Sequence, residues 1–153
     1  MNSQRHRAYM PVIRQLIECA RAFEHFSDAH VRAMGLTGAQ FDIIATLGNT
    51  PGMTCKELGE KTLITKGTMT GVLDRLAAKG LLVRRASPDD GRSWITALTD
   101  EGQALFEKIF PAHMEYMDPV FGSFSEADLR SMQKQLAQLR NAFTNPAGSE
   151  HGN

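Results

Sequence analysis

Ile13, Leu16, Ile17, Ala20, Phe23 and Val31 recur near helical spacing, and the run ends at Met34-Gly35, where glycine is a natural stop. The pattern predicts a long first helix over about residues 7–34. Leu36-Thr37-Gly38-Ala39-Gln40-Phe41 then places a threonine at an N-cap ahead of Phe41, Ile44 and Leu47, which predicts a second helix to about Gly48. Asn49-Thr50-Pro51-Gly52 reads as a turn.

Thr54-Cys55-Lys56-Glu57 has the form of a capping box and opens a short helix through Leu58 to about Thr62. Thr65 is placed to cap the next one, in which Met69, Val72, Leu73 and Leu76 follow the i, i+3, i+4, i+7 rule up to a stop at Lys79-Gly80. Two short helices joined tightly are a helix-turn-helix, whose second member offers its outer face to a major groove. Leu81 to Ala86 and Ser93 to Leu98 read as strands around a turn at Ser87-Pro88-Asp89-Asp90-Gly91-Arg92. A hairpin attached there is a wing.

Thr99-Asp100-Glu101-Gly102 opens a long helix carrying Leu105, Phe106, Ile109, Met114, Met117, Val120 and Phe121, with a kink expected at Pro111. Ser125-Glu126-Ala127-Asp128 is a second capping-box-like start. The helix after it repeats Leu129, Met132, Leu136, Leu139 and Phe143 in coiled-coil fashion, a seam that buries itself within the chain or against a second copy. The polar residues 146–153 read as a frayed tail. The predicted fold is mainly α with a small β-hairpin wing.

With 153 residues, 42% of them apolar, the chain can build a sizeable core without staples. Its basic start, Met1 to Tyr9, lacks the apolar stretch of a signal peptide, and no run of about 18 apolar residues follows, so a cytosolic protein is expected. Cys19 and Cys55 are far apart and lack metal-type spacing, which suggests reduced, partly buried thiols. Seventeen basic and seventeen acidic residues cancel, which excludes coating of nucleic acid or membrane by bulk charge. Locally the balance differs: from Lys61 to Arg85 every charged residue except Asp74 is basic.

With its apolar positions turned inward, the second helix of the pair exposes Lys66, Gly67, Thr68, Thr70, Gly71 and Arg75. Lysine and threonine can bond to base edges or phosphates, and a threonine methyl suits thymine. Each helical glycine costs about 1 kcal/mol relative to alanine. Two explanations stand, close helix packing and close approach to DNA. At the hairpin tip, Asp90 lies two residues from Arg92 and can hold its guanidinium extended, a shape that fits a narrow minor groove.

Leu81-Leu82-Val83-Arg84-Arg85, Pro88-Asp89-Asp90-Gly91-Arg92 and Leu98-Thr99-Asp100-Glu101-Gly102 together resemble the signature of the MarR family of winged helix-turn-helix regulators. Leu73-Asp74-Arg75-Leu76 before Lys79-Gly80-Leu81, and Leu36 to Phe41, resemble the same family, so the likeness runs from about residue 8 to residue 143. It implies an obligate homodimer that binds a pseudo-palindromic operator in double-stranded DNA. Helices at 1–34 and 101–145 would interlace, and a DNA-binding lobe at 35–100 would stand on each side. It places Arg92, supported by Asp90, in the minor groove, and Lys66, Thr68 and Thr70 in the major groove. Gly71 departs from the family's usual larger polar or basic residue. The resemblance also implies repression relieved by a small anionic aromatic or lipophilic effector, for which Arg21, His25, His30, Phe41 and His113 are candidate lining residues.

An enzyme is not expected. Glu24, His25, Asp28 and His30 suggest an acid-base or metal cluster, but histidines five apart diverge around a helix, unlike an i, i+4 zinc pair. There is no phosphate loop or nucleophile constellation, and no cofactor is expected. Two alternatives stand beside the DNA-binding regulator controlled by a ligand: redox sensing through Cys19 or Cys55, and a winged helix that binds protein instead of DNA.

Overall fold

The structure, a computed structural model, describes residues 8–146. The basic start through residue 7 and the tail from residue 147, which the sequence reads as frayed, lie outside the described residues. The chain order is α1 (Met10–Ala33), α2 (Gly38–Leu47), β1 (Met53–Thr54), α3 (Cys55–Lys61), α4 (Lys66–Ala78), β2 (Leu82–Ala86), β3 (Trp94–Leu98), α5 (Asp100–Phe121) and α6 (Glu126–Thr144). The fold is the mainly helical one predicted, with a small antiparallel sheet.

Local signals set the boundaries. Thr37 caps α2 and Gln40 reaches back to the Thr37 amide, so this start is a full capping box. Thr54 with Glu57 and Ser125 with Asp128 form two more. Thr65 occupies the N-cap of α4 without capping it. Its hydroxyl donates instead to Thr68 Oγ1 at 3.3 Å, which removes the expected backbone contact. Helices α1 and α4 end alike: Leu36 N–H bonds to the Val31 carbonyl and Leu81 N–H to that of Leu76, around Gly35 and Gly80 at φ +80° and +75°. These are Schellman stops, and their left-handed backbone favours glycine.

A third strand, not foreseen, pairs β1 with β3, giving the order β1-β3-β2. Met53 lies opposite Thr96 and Thr54 opposite Ile95, so Thr54 ends a strand and caps a helix at once. In the hairpin, Leu82 pairs with Leu98, Arg84 with Thr96 and Ala86 with Trp94. The core gathers Val31, Ile43, Ile44, Leu47, Leu58, Leu73, Leu76 and Phe106 around the helix-turn-helix. Helix α5 spans Asp100–Phe121 as a single helix that includes Pro111.

The chain divides into two compact units, Met1–Met114 and Glu115–Asn153. In the first, α1 buries only Val31, and Ile13, Ile17 and Phe23 are exposed. In the second, α6 buries nothing: Leu129 and Leu139 are half-buried, and Met132, Leu136 and Phe143 are exposed. Among the described residues, no member of the α6 stripe reaches full burial. Both cysteines are exposed, against the expectation of partly buried thiols. Cys19 sits on the uncovered α1, and Cys55 begins an α3 whose buried residue is Leu58.

Candidate nucleic-acid interface

Helix α4 buries Met69, Val72, Leu73 and Leu76 and leaves Lys66, Thr68, Thr70 and Arg75 exposed, as their spacing requires. A Cβ added at Gly67 or Gly71 would meet nothing within 4 Å. Close packing is therefore not why glycine stands at either position. The helix bears the propensity cost of both, and no described neighbour requires the missing side chains.

The wing tip is held by its own backbone contacts. Asp90 Oδ1 accepts the Arg92 amide at 3.0 Å, and its Oδ2 accepts the Ser93 hydroxyl at 3.1 Å. Ser87 Oγ accepts the amides of Asp89 and Asp90. Asp90 thus acts as an Asx-turn residue and not as the expected side-chain partner of Arg92. Its short side chain meets the amide two residues on before it can reach the guanidinium, and Arg92 stays exposed.

The root of the wing is fixed to the helices by groups that the sequence reading quoted as part of the family signature without giving them a structural role. Arg84 pairs with Asp74 of α4 at 3.1 Å, and Arg85 donates to the Pro51 carbonyl. The Arg84–Asp74 pair is largely exposed and contributes little stability, but it joins β2 to α4. The Thr99 hydroxyl donates to the Gly80 carbonyl at 2.6 Å and accepts the Gly102 amide at 3.1 Å. A Cβ at Gly102 would stand 2.2 Å from the Leu81 carbonyl oxygen, so this glycine lets the first turn of α5 approach the link between α4 and β2.

The five candidate effector residues divide. His30 Nδ1 lies 2.9 Å from His113 Nδ1, His113 Nε2 lies 3.1 Å from Ser27 Oγ, and the Phe41 and His113 rings are 4.6 Å apart. Arg21 and His25 are exposed on α1, outside this cluster. Ser27, which the sequence reading missed, completes it. The Nδ1 contact needs one N–H and one lone pair, and Ser27 can accept from or donate to Nε2, so either neutral tautomer of His113 is satisfied. His113 is only 3% exposed, and burial together with neighbouring His30 holds it below the ordinary histidine value. Among the described residues no three His, Cys, Asp or Glu side chains group to hold a metal ion, and no helix is long and apolar enough to cross a membrane.

A profile described as the MarR family matches residues 34–93, the stretch from the end of α1 to the hairpin turn. The transcriptional regulator MhqR of Bacillus subtilis is 28% identical over 130 residues, covering 83% of this chain and 90% of that protein. YkoM of the same organism, an uncharacterized HTH-type transcriptional regulator, is 31% identical over 109 residues, covering 69% and 71%. Bordetella bronchiseptica BpsR, solved in a study of how 6-hydroxynicotinic acid regulates its DNA binding, superposes with a TM-score of 0.76. It is 24% identical and covers 88% of this chain and 96% of its own. A helix-turn-helix with a bare outer face, a hairpin wing and this pattern of likeness lead to one assignment: the chain belongs to the MarR family and is a transcriptional regulator, not an enzyme.

Proposed function

We propose that the protein is a cytoplasmic homodimer that binds a pseudo-palindromic operator and represses, leaving the DNA when a small aromatic anion occupies a site on the helices. The observation that carries the DNA contact is the face of α4, where Lys66, Thr68, Thr70 and Arg75 stand beside two glycines with empty space in front of them. Such a face suits close entry into a major groove. Arg92, on a tip that Asp90 keeps rigid, reaches the adjacent minor groove. Two such lobes about one DNA turn apart, roughly 34 to 36 Å, read the two halves of an operator.

Pairing is supported by the exposed apolar residues of α1 and of α6, each considered by itself. A second copy is the natural cover, with residues 1–34 and 101–145 forming the dimerisation helices and 35–100 the DNA-binding lobe. The effector reading rests on His30, Phe41 and His113, where a ring can stack on Phe41 and a carboxylate can meet imidazole. It draws support from BpsR, whose DNA binding 6-hydroxynicotinic acid regulates.

The test is selection of genomic fragments by the purified protein, followed by anisotropy titrations at fixed salt. Arg92→Ala is expected to weaken binding on all duplexes, and Lys66→Ala or Thr70→Ala to change sequence preference by about 1 to 3 kcal/mol. Unchanged affinity in all three variants would overturn the surface assignment. Aromatic acids that leave the wild-type complex intact at saturating concentration would overturn the effector reading.

A further inference from the structure

The hairpin carries two large apolar side chains that the core does not use, Val83 and the more exposed Trp94. Along one face of the sheet, Leu82 and Leu98 meet the core, Arg84 and Thr96 follow, and the last pair, Ala86 and Trp94, lies beyond the core's edge. Trp94 is 63% exposed, although Thr96, two residues on, is 2% exposed. Within the described residues its indole N–H has no hydrogen-bond acceptor. An open groove of about 570 Å³ lies between the hairpin and α4, lined by Cys55, Thr70, Arg84, Trp94 and Thr96. Past Cys55 and Thr70 a second groove of about 700 Å³, between α3 and α4, carries Lys56 and Lys66 beside one acid, Glu60.

A helix in the major groove and a wing in the adjacent minor groove straddle the strand that separates the two grooves. That strand must pass between α4 and the hairpin, over Trp94. Its sugars are apolar and its phosphates accept hydrogen bonds. An indole offers a flat apolar face and one N–H donor, and Arg84, held by Asp74, adds a cation on the same wall. We propose that this groove seats one sugar–phosphate strand of duplex DNA, with the Trp94 ring against a deoxyribose and its Nε1–H donated to a phosphate oxygen. The inference rests on the reading of α4 and the wing as the DNA-binding face. Trp94 is then a positioning contact that sets the register of α4 in the groove without reading sequence.

The chain has a single tryptophan, so indole emission reports on this position alone. The full-length protein is titrated at low salt with an unlabelled mixed-sequence duplex of about 30 base pairs, enough for two half-sites. Anisotropy of a labelled copy of the same duplex is followed in parallel. Emission is expected to change, and acrylamide quenching to fall, in step with the anisotropy. Trp94→Ala is expected to bind about tenfold more weakly, by the same factor on duplexes of different sequence, with an unaltered urea midpoint. Should that variant fold poorly, the wild-type emission series decides. Saturable binding without an indole response, or affinity within about twofold in folded Trp94→Ala, overturns the groove assignment and leaves the DNA-binding face standing. Absence of duplex binding in the anisotropy overturns both.

Discussion

His113 is a titratable ring in an almost closed site, with its two nitrogens facing His30 and Ser27. Burial and the nearby His30 both lower its proton affinity, so the folded chain binds that proton less tightly than the unfolded chain does. The stability this residue supplies is therefore complete above its unfolded value, about 6.5. It is lost as pH falls from there through the lower folded value. Asp42 works in the opposite sense: burial raises its value against the lowering effect of the Leu63 amide, so the fold favours its protonated form as pH falls. Comparing variants separates the two. Urea midpoints of the wild type are expected to drop on acidification below about pH 6.5, and those of His113→Asn to begin lower and to change less. An equal pH slope in the two proteins would remove His113 as the source.

At the scale of the element, α4 joins a solid inner face to an outer face with two gaps. Because a Cβ at Gly67 or Gly71 meets nothing, alanine at either position is expected to stabilise the fold, by about 0.8 to 1 kcal/mol each. If DNA comes close to that face, the same methyl weakens operator binding. Thermal melts and anisotropy should therefore move in opposite directions for Gly67→Ala and Gly71→Ala, and a gain in stability with full affinity would refute close approach. Gly102→Ala is the contrast, since its methyl would meet the Leu81 carbonyl, and a loss of about 1 to 3 kcal/mol is expected in urea melts. Helix starts and stops were legible in the sequence because their partners lie within a few residues, as in Thr54 with Glu57 or Gly80 with Ala77. Contacts between distant residues were not. Strand β1 is two residues long and exists through its pairing with β3, and Ser27 meets His113 across 86 positions. At the candidate interface the residue types were legible, but the partner of Asp90 was decided by backbone geometry that a motif does not display.

At the scale of the molecule, the chain has no net charge, so the proposed hold on DNA would draw on a local basic surface presented twice by a dimer and not on a bulk field. Helices α1 and α6 each expose the apolar side of an amphipathic pattern, with Ile17 at 47% and Leu136 at 58%. Burying such a side chain is worth about 1.5 to 3 kcal/mol, and a two-fold axis counts every contact twice. A lysine at either position therefore costs a dimer about 4 kcal/mol, roughly a thousandfold in its dissociation constant. The cost to a lone chain is small, because these residues are already exposed. Sedimentation equilibrium at micromolar concentration should give a dimer for the wild type and a folded monomer for Leu136→Lys or Ile17→Lys. Duplex binding should weaken with dissociation, since a monomer engages one half-site at a time. A wild type that is monomeric and binds one duplex with a single lobe would refute pairing through these helices while leaving the face of α4 in place.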